Sequence, residues 1–154
     1  MPWSNSKVFV SFIEDALENT SAFALAADVP KCALYDNDIT PDNTVSTANT
    51  IYNAGQWTAS GNEVADGTNW DAGGEPITTP TFVPTGNVLK FDGVDTPQGG
   101  ATCTLANVYG CLNHDSSVAN HGLSFHYFGG INGVTAGTFS VIWHTSGIFT
   151  ITLT

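Results

Sequence analysis

Gly129-Gly130, a turn from Val134 to Gly137, Thr138-Phe139-Ser140-Val141-Ile142-Trp143 and Gly147-Ile148-Phe149-Thr150-Ile151-Thr152-Leu153 form the stretch on which the fold assignment turns. Its two long segments alternate apolar and polar residues at the period of two that a half-buried strand requires. Thr145-Ser146-Gly147 between them is a turn signal, so the pair is predicted to form a closing β-hairpin. In that arrangement Phe139, Val141 and Trp143 share one face, as do Phe149, Ile151 and Leu153 on the next strand. Ile142 and Ile148 point the other way, where a second layer or a neighbouring subunit would have to cover them.

Upstream, the pattern is of short β segments separated by turn chemistry. Lys31–Tyr35, Val88–Phe91, Thr102–Leu105, Val108–Leu112 and Leu123–Phe128 read as strands. Asn53-Ala54-Gly55, Asp66-Gly67 and Ala72-Gly73-Gly74 are turn signals. Three prolines between Pro76 and Pro84 limit that segment to an edge strand or extended arm. Residues 36 to 86 are predicted to be the least regular part of the chain. Near the N-terminus Val8, Phe9, Phe12, Ile13, Ala16 and Leu17 recur at helical spacing, predicting an amphipathic helix over residues 5 to 19. Ser4 would cap it, with Trp3 and Val8 as a hydrophobic staple. Glu14, Asp15 and Glu18 lie towards its C-terminal end, where the helix dipole disfavours them, so it must be held by packing on a sheet. The fold expected is mainly β, an antiparallel sandwich or barrel-like domain with one N-terminal amphipathic helix packed on a sheet.

With 154 residues the chain fits a single domain, 1–154, with an N-terminal arm and helix over 1–20 and a β domain over 29–154. Lys7, Lys31 and Lys90 are the basic residues, arginine is absent, and the formal net charge is -11. That balance argues against nucleic acid, because phosphate binding needs a basic face that releases counterions. It disfavours anionic membrane surfaces for the same reason. The apolar residues after Lys7 are broken by Ser11, Glu14 and Asp15, which does not fit a signal-peptide core, and no run is long enough to span a bilayer. Synthesis and folding in a cytoplasm are expected, with Cys32, Cys103 and Cys111 as free buried thiols.

Several clusters invite a chemical reading. Cys103, Cys111, His114, His121 and His126 lie close in sequence, and Cys111-x-x-His114 has a spacing that zinc could use, but neither CxxC nor a paired HxxxH accompanies it. Asp36, Asp38 and Asp42 offer oxygens to calcium. An EF-hand loop starting at Asp36 would place Pro41 and Thr47 where glycine and glutamate are required, and Asx turns account for the cluster more simply. Cys111, His114 and Asp115 lack the strained elbow that presents a nucleophile. Fourteen carboxylates contain no spacing that singles out a glycosidase pair. The residues therefore carry no catalytic site, no metal site and no cofactor. Tyr52, Trp57 and Trp70 could stack on sugars, although such aromatics more often form core or interface anchors.

The order of several motifs carries more than any one of them: Trp3-Ser4-Asn5-Ser6-Lys7, Lys31-Cys32-Ala33-Leu34-Tyr35-Asp36-Asn37, Tyr52-Asn53-Ala54-Gly55-Gln56-Trp57, Asn62-Glu63-Val64 followed by Ala72-Gly73-Gly74, and Ala136-Gly137-Thr138-Phe139-Ser140-Val141-Ile142-Trp143. Together they resemble small virion proteins of tailed bacteriophages, in particular of phages that infect actinobacteria, over nearly the whole chain. Cys32 departs from the valine common in that pattern, as does a longer Asn113 to Gly122 loop with two histidines. The resemblance implies a non-enzymatic virion protein on the capsid exterior, an accessory head decoration subunit bound to the major capsid shell and self-associated, with a homotrimer favoured. A tail or receptor-binding, carbohydrate-binding module is the alternative. Trp3, Tyr52, Trp57, Trp70, Phe82, Ile142 and Ile148 are the expected subunit or shell contacts.

Overall fold

In the computed structural model the described residues are 3–154, with the side chains of residues 98 and 99 outside the description; the first two residues of the expected arm also lie outside it. The chain enters through a short strand, β1 (Lys7–Val8), and turns directly into helix α1 (Val10–Leu17). The helix is shorter than expected because the backbone before it is engaged elsewhere. Lys7 and Val8 pair with Phe125 and Ser124, the Phe9 amide donates to the Leu123 carbonyl at 3.1 Å, and the Val10 amide donates to Asn43 at 3.0 Å. Those groups are therefore unavailable to a first helical turn. Phe9 holds the N-cap position and Ser4 lies outside the helix, so the predicted cap and staple do not form. Asn19, at φ 55°, closes the other end in the left-handed conformation that asparagine tolerates.

Strands β2 (Pro30–Tyr35), β3 (Glu75–Pro76), β4 (Thr81–Thr85), β5 (Val88–Asp92), β6 (Thr96–Asp115), β7 (His121–Val141) and β8 (Phe149–Thr152) complete the described strands. They form a five-stranded sheet in the order β1-β7-β6-β2-β3 and a three-stranded sheet in the order β4-β5-β8, with antiparallel pairing throughout. Residues from both sheets share one core, giving the mainly β, sandwich-like architecture expected. Pro76 and Pro84 fall in β3 and β4, which lie at sheet edges, where a missing amide costs no ladder bond.

Two features differ from the expected plan. The segments read as separate strands are parts of β6 and β7, which are 20 and 21 residues long. Their glycines and turn signals sit at irregularities of the ladder rather than at chain reversals. Between Gly110↔Tyr127 and Val108↔Asn132, β7 carries extra residues that include Gly129 and Gly130, at φ 82° and 158°. Such bulges bend the strand without ending it. The expected Asn113–Gly122 loop is half strand, and the reversal is confined to residues 116 to 120.

The closing hairpin does not form either. Phe139 and Val141 belong to β7 and pair with Ala101 and Thr96 of β6, whereas Phe149, Ile151 and Thr152 of β8 pair with Phe91, Leu89 and Val88 of β5. The chain crosses between sheets at Trp143, whose amide donates to Asp95 Oδ1 at 2.9 Å and whose Nε1 donates to Thr96 Oγ1 at 3.1 Å. His144 to Gly147 then turns, and the Ile148 amide reaches the Phe91 carbonyl at 2.8 Å. Alternation identified both segments as strands but could not say that they pair with others.

Candidate interaction surfaces

The seven expected contact residues separate into three groups. Trp3, Trp57, Trp70 and Ile148 are buried within the chain, Tyr52 and Phe82 are half-buried, and Ile142 is 70% exposed. Trp3 is therefore a core residue rather than a contact on a free arm. Its Nε1 donates to the Asp36 carbonyl at 2.6 Å, and its ring meets Trp57 edge-on at 5.9 Å and stacks near Tyr127 at 6.4 Å. Gly110 makes room for it, since a Cβ there would lie 2.6 Å from the indole and also strike the His126 carbonyl.

Trp57 packs edge-on against Tyr35 at 5.1 Å, while the Tyr35 hydroxyl donates to the Trp57 carbonyl at 2.7 Å. Trp70 packs against Phe139 at 5.4 Å. Its backbone is fixed by Asp66, whose Oδ1 accepts the amides of Thr68, Asn69 and Trp70 at 3.0, 2.9 and 2.9 Å. Those three donors lower the Asp66 carboxyl to about 2. The irregular 36–86 segment thus supplies two tryptophans to the core. Neither is exposed for a sugar to stack on, so two of the three aromatics considered for carbohydrate stacking belong to the core.

The histidines occupy separate sites. His114 Nε2 lies 3.0 Å from the Gly73 carbonyl, and its ring stacks on Tyr52 at 4.8 Å. Tyr52 donates its hydroxyl to Glu63 Oε2 at 2.8 Å, and Glu63 Oε1 accepts the Gly73 amide at 2.7 Å, so this network fastens the glycine turn to the sheet. Burial lowers both His114 and His126 to about 4. His121 bridges β7 to α1, with Nε2 at 2.8 Å from Asp15 Oδ2 and Nδ1 at 2.9 Å from the Gly122 carbonyl. The Thr47 hydroxyl, followed by His121 and Thr20, holds the Asp15 carboxyl below the usual range against the opposing effect of burial.

The Cys111 thiol lies 3.9 Å from Asn113 Oδ1 and interacts with Cys32. Among the described residues, no three His, Cys, Asp or Glu side chains converge as a metal would require. Asp36 and Asp42 accept the amides of Asp38 and Thr44 at 2.9 and 2.8 Å, forming the Asx turns read from the sequence.

One titratable pair could not be anticipated from spacing. Asp115 is fully buried at the end of β6, accepts the Ser117 amide on Oδ1 at 2.8 Å and meets the Asp28 carboxyl from the 24–29 loop. Burial first, then Asp28, raises its carboxyl to about 6. The folded protein therefore binds a proton that the unfolded chain releases near pH 4, and this contribution to stability falls as pH rises through about 4 to 6. Asp115→Asn keeps a donor towards Asp28 without the charge. It is expected to stabilise the protein at pH 7.5 by about 1–2 kcal/mol and to have little effect at pH 4.5. Urea midpoints at the two pH values check this, and equal destabilisation at both would exclude a buried proton on Asp115.

Exposed apolar side chains mark candidate docking surfaces. The first is an apolar groove of about 210 Å³ between α1 and the three-stranded sheet, lined by Phe12, Ile13, Leu17, Phe82, Ile151 and Leu153. Leu17 is 82% and Leu153 63% exposed there. The second is the outer side of the β6–β7 ribbon, described below. Comparison of the chain with protein-family models, curated proteins and solved structures gave no match.

Proposed function

We propose that the chain is a non-enzymatic virion structural protein of a tailed bacteriophage, an accessory capsid subunit that binds the outer surface of the assembled major capsid shell and stabilises it. The motif order supports the class, and the apolar groove beside α1 is the observation that carries the docking step. Exposed leucines at its rim offer apolar area to a partner, and large uncovered apolar patches mark such contacts. Glu14 on the same helix and Glu18 at its C-terminal cap are exposed, so a basic shell face would be complementary to this surface. A net charge of -11 keeps the subunit from adhering to packaged DNA.

The direct test is co-sedimentation of purified protein with undecorated shells. Leu17→Asp combined with Leu153→Asp is expected to weaken binding at least about tenfold while changing stability by less than about 0.5 kcal/mol, because both side chains project into solvent. Unchanged binding by the folded double variant would remove the groove from the contact. Mass spectrometry of DNA-filled heads separated from tails tests the location itself, and heads lacking this protein would refute it.

A further inference from the structure

Along much of their length β6 and β7 have no flanking strand among the described residues. β1 reaches β7 only at Ser124 and Phe125, and β2 accompanies β6 only from Gly110 to Asp115, but the β6–β7 ladder continues to Thr96↔Val141. The inner face of this ribbon is core, with Ala101, Cys103, Leu105 and Val108 buried. The 66–70 loop covers the β6 edge, where Asn69 Nδ2 donates to the Thr102 carbonyl at 2.8 Å. On the outer face Thr102, Ala106, Ile131, Thr135 and Thr138 are exposed. The Tyr127 amide donates to Ser6 Oγ at 3.0 Å, and no strand among the described residues pairs with the outer edge of β7 past that point.

Charge distribution indicates what covers this side. No charged residue lies between Asp95 and Asp115 or anywhere in 116–154, and Asp115 is buried. Exposed strands in soluble proteins ordinarily carry lysine, glutamate or proline that prevents edge pairing, and β7 has none. Two copies of a chain with charge -11 repel each other, and a contact through α1 or the 36–86 segment would bring their carboxylates together. The β7 side of the ribbon is a long surface without such a juxtaposition, since Asp66 lies at the opposite, β6 edge. Ile142, immediately after β7, extends this neutral side and borders a hollow of about 180 Å³ with Phe128 and Phe139.

We propose that the outer face of the ribbon and the β7 edge from Gly129 onward bind a second copy of this chain through strand backbone and neutral side chains. The inference does not rest on the capsid reading and is tested without shells. Sedimentation velocity of the full chain from about 1 to 200 μM is expected to show self-association that tightens by about threefold or more between 50 and 500 mM NaCl, because salt screens the repulsion of the acidic bodies. A groove docked on a basic shell would show the opposite salt dependence.

Thr135→Lys and Ile131→Asp each place a charge on the proposed contact and are expected to weaken self-association at least about tenfold. Leu17→Asp, on the other surface, should leave it unchanged. Circular dichroism melting identifies folded variants, and Thr102→Lys provides a third exposed site for the same measurement. Wild-type protein that stays monomeric throughout, folded ribbon variants that associate normally, or loss of association in Leu17→Asp would each overturn the proposal.

Discussion

Trp3→Ala is expected to destabilise the protein by about 3–5 kcal/mol, the range for removing a buried aromatic side chain, and to lower its melting temperature by roughly 10 °C or more. Three losses combine at this position. The indole leaves a cavity bounded by Trp57, Phe125 and Tyr127, the Asp36 carbonyl loses its donor, and Gly110 faces empty space where the ring had filled its missing side chain. Urea denaturation monitored by far-ultraviolet circular dichroism measures the effect. A loss below about 1 kcal/mol would mean that the N-terminal segment is not part of the folded core.

Ile148→Asp is expected to prevent stable folding, at a cost above about 4 kcal/mol, whereas Ile142→Asp should alter stability by less than about 0.5 kcal/mol. Ile148 is 6% exposed, beside Phe91 and Phe149 at the entry to β8, so its replacement buries a carboxylate without a partner. Ile142 is 70% exposed and loses no core packing. Parallel thermal melts of the two variants check the contrast. Similar melting temperatures would show that both isoleucines face the same environment, as a hairpin with one common outer face requires.

That pair also shows how far the residues can be read without coordinates. Alternation correctly marked Thr138 to Val141 and Phe149 to Thr152 as strands, because period-two patterning reflects a local environment. Pairing is non-local, and the adjacency of two strands in sequence gave no information about the crossing at Trp143. The same limit applies to Trp3, Trp57 and Trp70. An aromatic residue buried by its own chain and one awaiting a partner have the same local sequence signature.

At the N-terminus Phe9, Phe12 and Ile13 had the right helical phase, but the backbone of Lys7 to Phe9 was already committed to β7. Gly129 and Gly130 lie at an irregularity of the β6–β7 ladder, where the positive φ that glycine often brings to a turn serves a bulge instead. The Asp28–Asp115 contact left no trace in sequence, since it joins a loop to a strand end far along the chain. The charge-free character of 116–154, by contrast, was fully legible, and it acquired meaning once β7 was seen to have an open edge.

The strand positions of the three lysines have a practical consequence. Lys7 lies in β1, Lys31 in β2 between β6 and β3, and Lys90 in β5 between β4 and β8, where its ammonium is 2.8 Å from Asp92. With no arginine in the chain, every peptide bond that trypsin recognises follows a residue engaged in a ladder. A protease must take its substrate as a free extended segment, so cleavage at Lys31 or Lys90 requires the central strand of that region to leave its neighbours. Tryptic digestion therefore reports opening of the two sheets, with the Lys31 cut reading one and the Lys90 cut the other.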